Sequence, residues 1–254
     1  MQKNNRFSIV IVTKDSSNIL PRLLMSIEGL SDDIVVCDTG STDNTIQIAS
    51  KFNVNVHSIL WEGYGESKNK AIQYAKYDWI LSMDSDEKLD DTLYHELKNW
   101  SPDKTPAIYH IRWKNFIGNR WIKNTGGWKG RLFNKKLTQW DKAIIHEEVS
   151  RPSDVKIIRL KGFIEHYTHK DFKHLFNKYL NSAMITAEKQ YEMGKRSSRG
   201  KILIKPIAAF FSSYIFRLGF QNGFHGLLYA IAGSYYSFMK YTRLLELNRK
   251  NNLS

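Results

Sequence analysis

The chain has 254 residues, of which 42% are hydrophobic and 25% charged, enough apolar material for a sizeable core and too much for wholesale disorder. Its single cysteine, Cys37, excludes an internal disulfide framework. The net charge of +13 is unevenly placed: residues 1–100 contain ten basic and 15 acidic residues, whereas residues 101–254 contain 28 basic and ten acidic residues. A basic half attracts phosphate on nucleic acid, on lipid headgroups or on an anionic substrate.

The first apolar run, Phe7–Val12, is too short for the hydrophobic region of an export signal, which usually needs about 7–15 residues. The run stops at Thr13, Lys14 and Asp15, whereas an export signal continues from its apolar region to a small-residue cleavage site. We therefore expect this run to be a buried strand and the protein to remain in the cytoplasm.

Strand-like and helix-like segments alternate through the first hundred residues. Strands are predicted at Phe7–Val12, Ile34–Cys37, Val54–Ile59 and Trp79–Met83, with a helical pattern between each pair. Such alternation is typical of right-handed βαβ units, whose strands form a parallel sheet with helices on both faces. The predicted fold class is therefore α/β, with a Rossmann-like, mostly parallel, doubly wound sheet.

The pattern changes after Trp100. Residues 101–168 are rich in Trp, Lys, Arg and Gly and contain only short strand-like pieces, so we expect irregular or antiparallel structure there. From Asp171 to Lys250 the chain has a helical pattern, which we expect to form three segments with a break at Arg196–Gly200. This predicts a C-terminal helical extension.

The extension contains a stretch of 22 residues without a formal charge, Leu218–Met239. Its length could span a bilayer, but polar residues and glycines dilute it. Basic residues and aromatic side chains surround it, as in segments that lie in a membrane interface. We expect such peripheral membrane contact; packing within a helical subdomain is the alternative, and a spanning helix fits the composition least.

Acidic residues follow three of the predicted strands. Asp84 and Asp86 come directly after the fourth strand, Asp15 follows the first, and Asp38 follows the second. Ligands of parallel sheets bind beyond the carboxyl ends of the strands. Carboxylates there suit Mg²⁺ or Mn²⁺, and they can also accept hydrogen bonds from a base or a ribose. Each acid alone is more often a helix cap or an acidic turn, so their coincidence carries the functional interpretation.

Three stretches, Phe7–Asp15, Asp38–Thr45 and Trp79–Glu87, resemble the family-2 inverting glycosyltransferases with the GT-A fold. The resemblance covers about residues 5–150. It implies a GT-A catalytic domain over 1–168, with a nucleotide-binding half at 1–100 and an acceptor half at 101–168, followed by the basic and aromatic helical extension at 169–254.

The same resemblance implies a site. Asp15 and Asp38 would hold the nucleotide of a UDP-sugar, and Asp84 and Asp86 would bind Mg²⁺ or Mn²⁺, with Asp86 closer to the metal. The other donor-binding residues implied are Thr13, Lys14, Lys68, with Asn69 beside it, Asp84 and Ser85.

A finer resemblance lies downstream. Gly126–Phe133, Ile145–Val149 and Gly219–Gly226 look like the subgroup that includes the lipopolysaccharide core β-1,4-glucosyltransferases. By this likeness the acceptor is an anionic, membrane-borne glycolipid such as the lipopolysaccharide inner core, reached from the cytoplasmic face of the inner membrane.

Transfer with inversion needs a base that takes the proton of the acceptor hydroxyl. Glu147 is the candidate by its match to the subgroup, with Glu148 as the alternative. His146 could complete the metal or diphosphate site, or be an ordinary hydrogen-bonded histidine. Arg131 could contact the diphosphate or lie on the surface, and Trp128 could stack on a sugar or belong to the core.

The sequence thus predicts a metal-dependent, inverting hexosyltransferase. A polyprenyl phosphate or a peptide side chain is the alternative acceptor. A basic nucleic-acid-binding protein is a remote alternative, since the basic residues form no recognisable nucleic-acid module and the sheet edge is acidic. We expect no nucleic-acid partner.

Overall fold

The computed structural model describes residues 7–103, 105–141 and 148–250. The described residues form two compact units. The first unit comprises those of Met1–Lys114 and Gly126–His166, and the second comprises those of Asn115–Thr125 and Tyr167–Ser254.

Strands and helices alternate first, and strands then predominate. The elements in chain order are β1 (Ser8–Thr13), α1 (Leu20–Ser26), β2 (Ile34–Asp38), α2 (Thr45–Ala49), β3 (Asn55–Ser58), α3 (Tyr64–Ile72), β4 (Trp79–Asp84), β5 (Glu87–Leu89), α4 (Asp91–Lys98), β6 (Ala107–Ile117), β7 (Arg120–Trp121), β8 (Trp128–Asn134) and β9 (Lys156–His169). The strand order in the sheet is β3-β2-β1-β4-β8-β6-β9-β5, and β7 pairs with β6.

The pairing directions divide this sheet in two. β1, β2, β3 and β4 run parallel to one another, and β8 then joins β4 in the antiparallel direction. β6 with β8 and β5 with β9 are antiparallel as well. The predicted α/β fold, with a parallel first part and antiparallel structure after Trp100, is therefore confirmed.

Alternate side chains of the central strands enter two separate cores, as expected for a sheet covered on both faces. On one face, Ile9 and Ile11 of β1 pack in a cluster with Leu23 of α1. On the other face, Val10 packs in a cluster with Cys37 of β2 and with residues of α3. Cys37 is fully buried, and burial raises the pKa of its thiol to about 12.

The second unit is mainly helical. It contains α5 (Phe172–Glu192), α6 (Arg199–Phe211), a π-helical turn (Ser212–Phe216), a short 3-10 turn (Gly219–Asn222) and α7 (Gly223–Lys250). The three predicted helices and the break before residue 200 are present. Within the described part of the chain, no single helix has both the length and the apolar character to cross a membrane; only a pair bent by 69°, Arg199–Phe216 with Gly219–Arg249, meets both measures together.

Candidate active site

The strand register brings the predicted acids to one edge of the sheet. Thr13 at the end of β1 pairs with Asp38 at the end of β2, and Val12 pairs with Asp84 at the end of β4. A hydrogen bond of 2.9 Å between the hydroxyls of Ser16 and Ser85 ties the loops after β1 and β4 together. The expectation that these three strands end at the same edge is therefore confirmed.

Asp38 and Asp15 organise the loop after β2. The buried Asp38 accepts hydrogen bonds from the backbone N–H groups of Gly40 and Ser41, both at 2.9 Å, and from the Ser41 hydroxyl. Asp15 is exposed and accepts from the N–H of Thr42 at 2.7 Å. Asp15 also has a φ of +46°, a left-handed conformation that Asp and Asn tolerate better than bulkier residues. Both carboxylates thus shape the loop in addition to any role toward a donor.

Asp84 lies between two buried cations. Its Oδ1 is 2.7 Å from Nζ of Lys68, and its Oδ2 accepts a hydrogen bond of 2.9 Å from Nη2 of Arg131. Burial alone would raise the pKa of the Asp84 carboxyl, but the charges of Lys68 and Arg131 outweigh it and hold that pKa well below its usual range. Asp84 is therefore ionised, and both cations are held in place beside it.

Glu87 completes this ion network, and the sequence analysis did not single it out. The side chain is 1% exposed; it binds Arg131 and accepts a hydrogen bond of 2.8 Å from the backbone N–H of Asp84. Burial raises the pKa of Glu87, and the nearby charge of Asp84 adds to this effect, against the opposing charge of Arg131. Glu87 thereby fixes both Asp84 and Arg131.

Asp86 faces His166, a second residue that the sequence analysis missed. Oδ2 of Asp86 lies 3.2 Å from Nε2 of His166, and the side chains are 29% and 24% exposed. Burial alone would lower the pKa of His166, but the Asp86 carboxylate outweighs burial and raises it. Only the strand register indicates that His166 belongs to the site, because β9 runs antiparallel to β5 and places His166 opposite Glu87.

The donor chemistry at this edge fits a hard divalent cation, because carboxylate oxygens are its preferred protein ligands. Asp86 fits this role better than Asp84, whose two oxygens are engaged by Lys68 and Arg131. Among the residues that the structure describes, no group of three His, Cys, Asp or Glu side chains is placed to hold a metal. Magnesium commonly uses one or two carboxylates together with waters and substrate phosphates, so two protein ligands are compatible with it.

The ammonium group of Lys68 also contacts an aromatic ring. Its Nζ lies 4.6 Å from the ring centre of the fully buried Trp140. The side chain of Asn69 holds Trp140 through two hydrogen bonds with its backbone, one from its N–H at 2.9 Å and one to its carbonyl at 3.0 Å. Asn69 is therefore a residue that positions the wall of the Lys68 site.

The remaining predicted residues differ in exposure. Lys14 is exposed, and Thr13 is buried with a hydroxyl that has no hydrogen-bond partner within the described ranges. Arg131 is buried rather than on the surface, at 4% exposure. Trp128 is 38% exposed rather than in the core, and the Arg159 guanidinium lies 5.1 Å from its ring centre.

Only one of the two candidate bases can be placed. Glu148 is exposed, and its backbone forms hydrogen bonds with Asp141. Glu147, the preferred candidate, and His146 lie outside the described residues. Their roles as base and metal ligand stay predictions.

A model of glycosyl transferase family 2 matches residues 8–153. Because that match covers more than half of the chain, the protein belongs to glycosyl transferase family 2 and is by family a glycosyltransferase. An uncharacterized glycosyltransferase of Rickettsia prowazekii (strain Madrid E) is 27% identical, with 97% of this chain and 89% of that protein covered. The lipopolysaccharide core biosynthesis glycosyltransferase LpsC of Rhizobium meliloti (strain 1021) is 24% identical, with coverage of 94% and 92% respectively.

Among solved structures, this chain is similar to S. aureus TarS 1-349. The TM-score is 0.47 at 14% identity, and the alignment covers 97% of this chain and 92% of that one.

Proposed function

We propose that this protein transfers a hexose, such as glucose, from a UDP-sugar to a hydroxyl of a membrane-borne, anionic glycolipid such as the lipopolysaccharide inner core. The transfer inverts the anomeric carbon and takes place at the cytoplasmic face of the inner membrane. The observation that carries the proposal is the group of acids at one sheet edge, where Asp84 lies between the buried cations Lys68 and Arg131.

In this reaction the acceptor oxygen bonds to the anomeric carbon while the bond to the diphosphate oxygen breaks, and UDP leaves with the bonding electrons. The leaving diphosphate carries negative charge that must be stabilised. Asp86 and His166 would hold a Mg²⁺ or Mn²⁺ ion, which when bound supplies this charge stabilisation. Lys68 and Arg131 would offer N–H donors toward the diphosphate, and Glu87 holds Arg131 in its position beside Asp84.

A carboxylate must also take the proton of the acceptor hydroxyl, a contribution of about 10²–10⁴-fold in rate. We assign this role to Glu147, with Glu148 as the alternative. Asp15 and Asp38 would accept hydrogen bonds from the nucleoside, and Trp128 offers an exposed ring face for a sugar.

The acceptor class is supported by LpsC, a lipopolysaccharide core biosynthesis glycosyltransferase that is similar to this chain over nearly the full length of both proteins. The excess of basic residues after residue 100 agrees with a phosphorylated acceptor. No observation favours a polyprenyl phosphate or a peptide over this acceptor.

The test is a panel of UDP-sugars incubated with the purified protein, with and without Mn²⁺, with UDP release as the measurement. We expect one UDP-sugar to be hydrolysed slowly, in a manner that depends on the metal. Asp86→Ala should lower this rate by about 10²-fold or more. Asp154→Ala, which removes an exposed acid of the first unit, is the matched control and should keep the full rate. Full activity of Asp86→Ala would remove its proposed role.

The base is tested separately with an accepting glycolipid. Glu147→Gln should retain UDP binding and lose transfer, whereas Glu148→Gln should retain both. The reverse outcome would transfer the role to Glu148.

A further inference from the structure

One face of α6 exposes large apolar side chains to solvent. Leu203, Ile204, Ile207 and Phe211 are 68%, 66%, 58% and 50% exposed, and their spacing places them along one stripe of the helix. The opposite side of the helix is covered: Pro206 is buried, and its carbonyl accepts a hydrogen bond of 2.9 Å from the Ser234 hydroxyl of α7. We call the exposed stripe the α6 apolar face.

The apolar surface continues through the turns that connect α6 to α7. These turns expose Ile215, Phe216, Leu218 and Phe220, with Phe216 reaching 81%, and the first turn of α7 exposes Phe224. Asn222 holds the turns firmly, because its side chain bonds to the backbone N–H and carbonyl of Lys123 at 2.7 and 3.1 Å. The exposure is therefore a property of a fixed turn and not of a frayed helix end.

The charged residues in this stretch of the chain have one sign. Residues 193–245 contain eight basic residues and no acidic residue. Lys201 is exposed and, at about 100° per residue, falls about 60° from Ile204 at the edge of the α6 apolar face. Lys205 is exposed as well but falls about 100° from that edge. Burial lowers the pKa of Lys240, and the like charges of Lys205 and Lys195 lower it further, as expected where positive charge is not compensated.

We propose that the α6 apolar face and the turn residue Phe216 insert into the interface of an anionic lipid bilayer, where Lys201 and Arg217 contact headgroup phosphates. Apolar side chains gain by entering the boundary between headgroups and acyl chains, and basic residues beside them are attracted by anionic lipid. A second copy of this chain fits less well, because two such faces would bring positive charges together. The inference does not depend on the sugar-transfer chemistry.

The experiment measures cosedimentation of the full chain with two kinds of vesicle, one of phosphatidylglycerol with phosphatidylethanolamine and one of phosphatidylcholine alone. The apolar variant is Ile207→Ser/Phe211→Ser/Phe216→Ser, and the charge variant is Lys201→Glu/Arg217→Glu. Matched controls change exposed residues of the first unit: Met25→Ser/Leu137→Ser/Ile157→Ser and Lys51→Glu/Lys156→Glu. Thermal unfolding and UDP release show whether each variant is folded.

We expect the unmodified chain to bind the anionic vesicles at least about tenfold better than the neutral ones, with loss of binding as salt is raised. Each test variant should reduce binding to anionic vesicles by about tenfold or more, while both controls retain it. Equal binding to the two vesicle types, or unchanged binding by both folded test variants, would overturn the proposal. So would a dimer that the apolar variant dissociates, or resistance of the membrane-bound chain to alkaline extraction, which indicates a spanning segment.

Discussion

The two units of the protein differ in how their charged side chains are paired. In the first unit, Asp84 and Glu87 lie beside Lys68 and Arg131, and the carboxylates and cations neutralise one another in a buried network. In the second unit, residues 193–245 contain eight basic residues and no acidic residue. Arg243 pairs with Glu188 and Glu246 outside that stretch, whereas Lys201, Lys205 and Arg217 have no ion pair within the described residues. Charge that is paired inside the protein fixes a geometry, whereas charge left on the surface is available to a partner.

Substitutions in the two regions should therefore change the free energy of unfolding by different amounts. Removing one member of a buried ion network leaves its partners charged and without compensation, which is strongly destabilising. Removing a surface cation leaves no buried charge without a partner, so the free energy of unfolding should hardly change. Three substitutions measure this difference, and the largest effect belongs to the buried network.

Arg131→Met should lower the free energy of unfolding by about 3–5 kcal/mol, because Asp84 and Glu87 would then face one another without the cation that both contact. Denaturant titration gives this quantity. Arg112→Met is the control, since Arg112 is an exposed residue of the adjoining β6, and it should change stability by less than about 0.5 kcal/mol. Equal effects of the two substitutions would refute the role given to the network.

Asp38→Ala should have an intermediate effect of about 2–3 kcal/mol. The substitution leaves the N–H groups of Gly40 and Ser41 without the carboxylate that accepts from them. The comparison is Asp15→Asn, which keeps an acceptor at an exposed position and suits the left-handed backbone there. Thermal and denaturant unfolding of both variants should show a clear loss for the first alone; a larger loss for Asp15→Asn would contradict this assignment.

Lys205→Glu should have the smallest effect, a change of less than about 0.5 kcal/mol. Within the described ranges Lys205 has no ion pair to lose, and its removal relieves repulsion of Lys240. The melting temperature is expected to stay the same or rise slightly. A clear fall would show that the positive surface of the second unit stabilises the fold, and the contrast between the two units would then be lost.

Local sequence patterns were enough to predict the parallel part of the sheet. The alternation of apolar strands and amphipathic helices depends on neighbouring residues, and the acids after β1, β2 and β4 reach one edge because parallel strands do so. The predicted strand at Trp79–Met83 and the observed one at Trp79–Asp84 differ by one residue.

Residues that depend on distant pairing were harder to find. His166 reaches the site only because β9 pairs with β5, and no local sequence pattern predicts the register of that pair. Glu87 is next to Asp86 in the sequence, but its role in the ion network depends on contact with Arg131, which is distant along the chain. Likewise, the helices of the extension were predictable, whereas the exposed side of α6 depends on how that helix packs against α7.

The burial of Cys37 has a practical consequence. As the only cysteine of the chain, and with a thiol whose pKa is raised to about 12, it stays protonated and shielded from alkylating reagents in the folded protein. A cysteine introduced at the exposed position 216 would then be the one reactive thiol of the natively folded chain. A polarity-sensitive fluorophore attached there would report directly on the medium that surrounds the connection between α6 and α7.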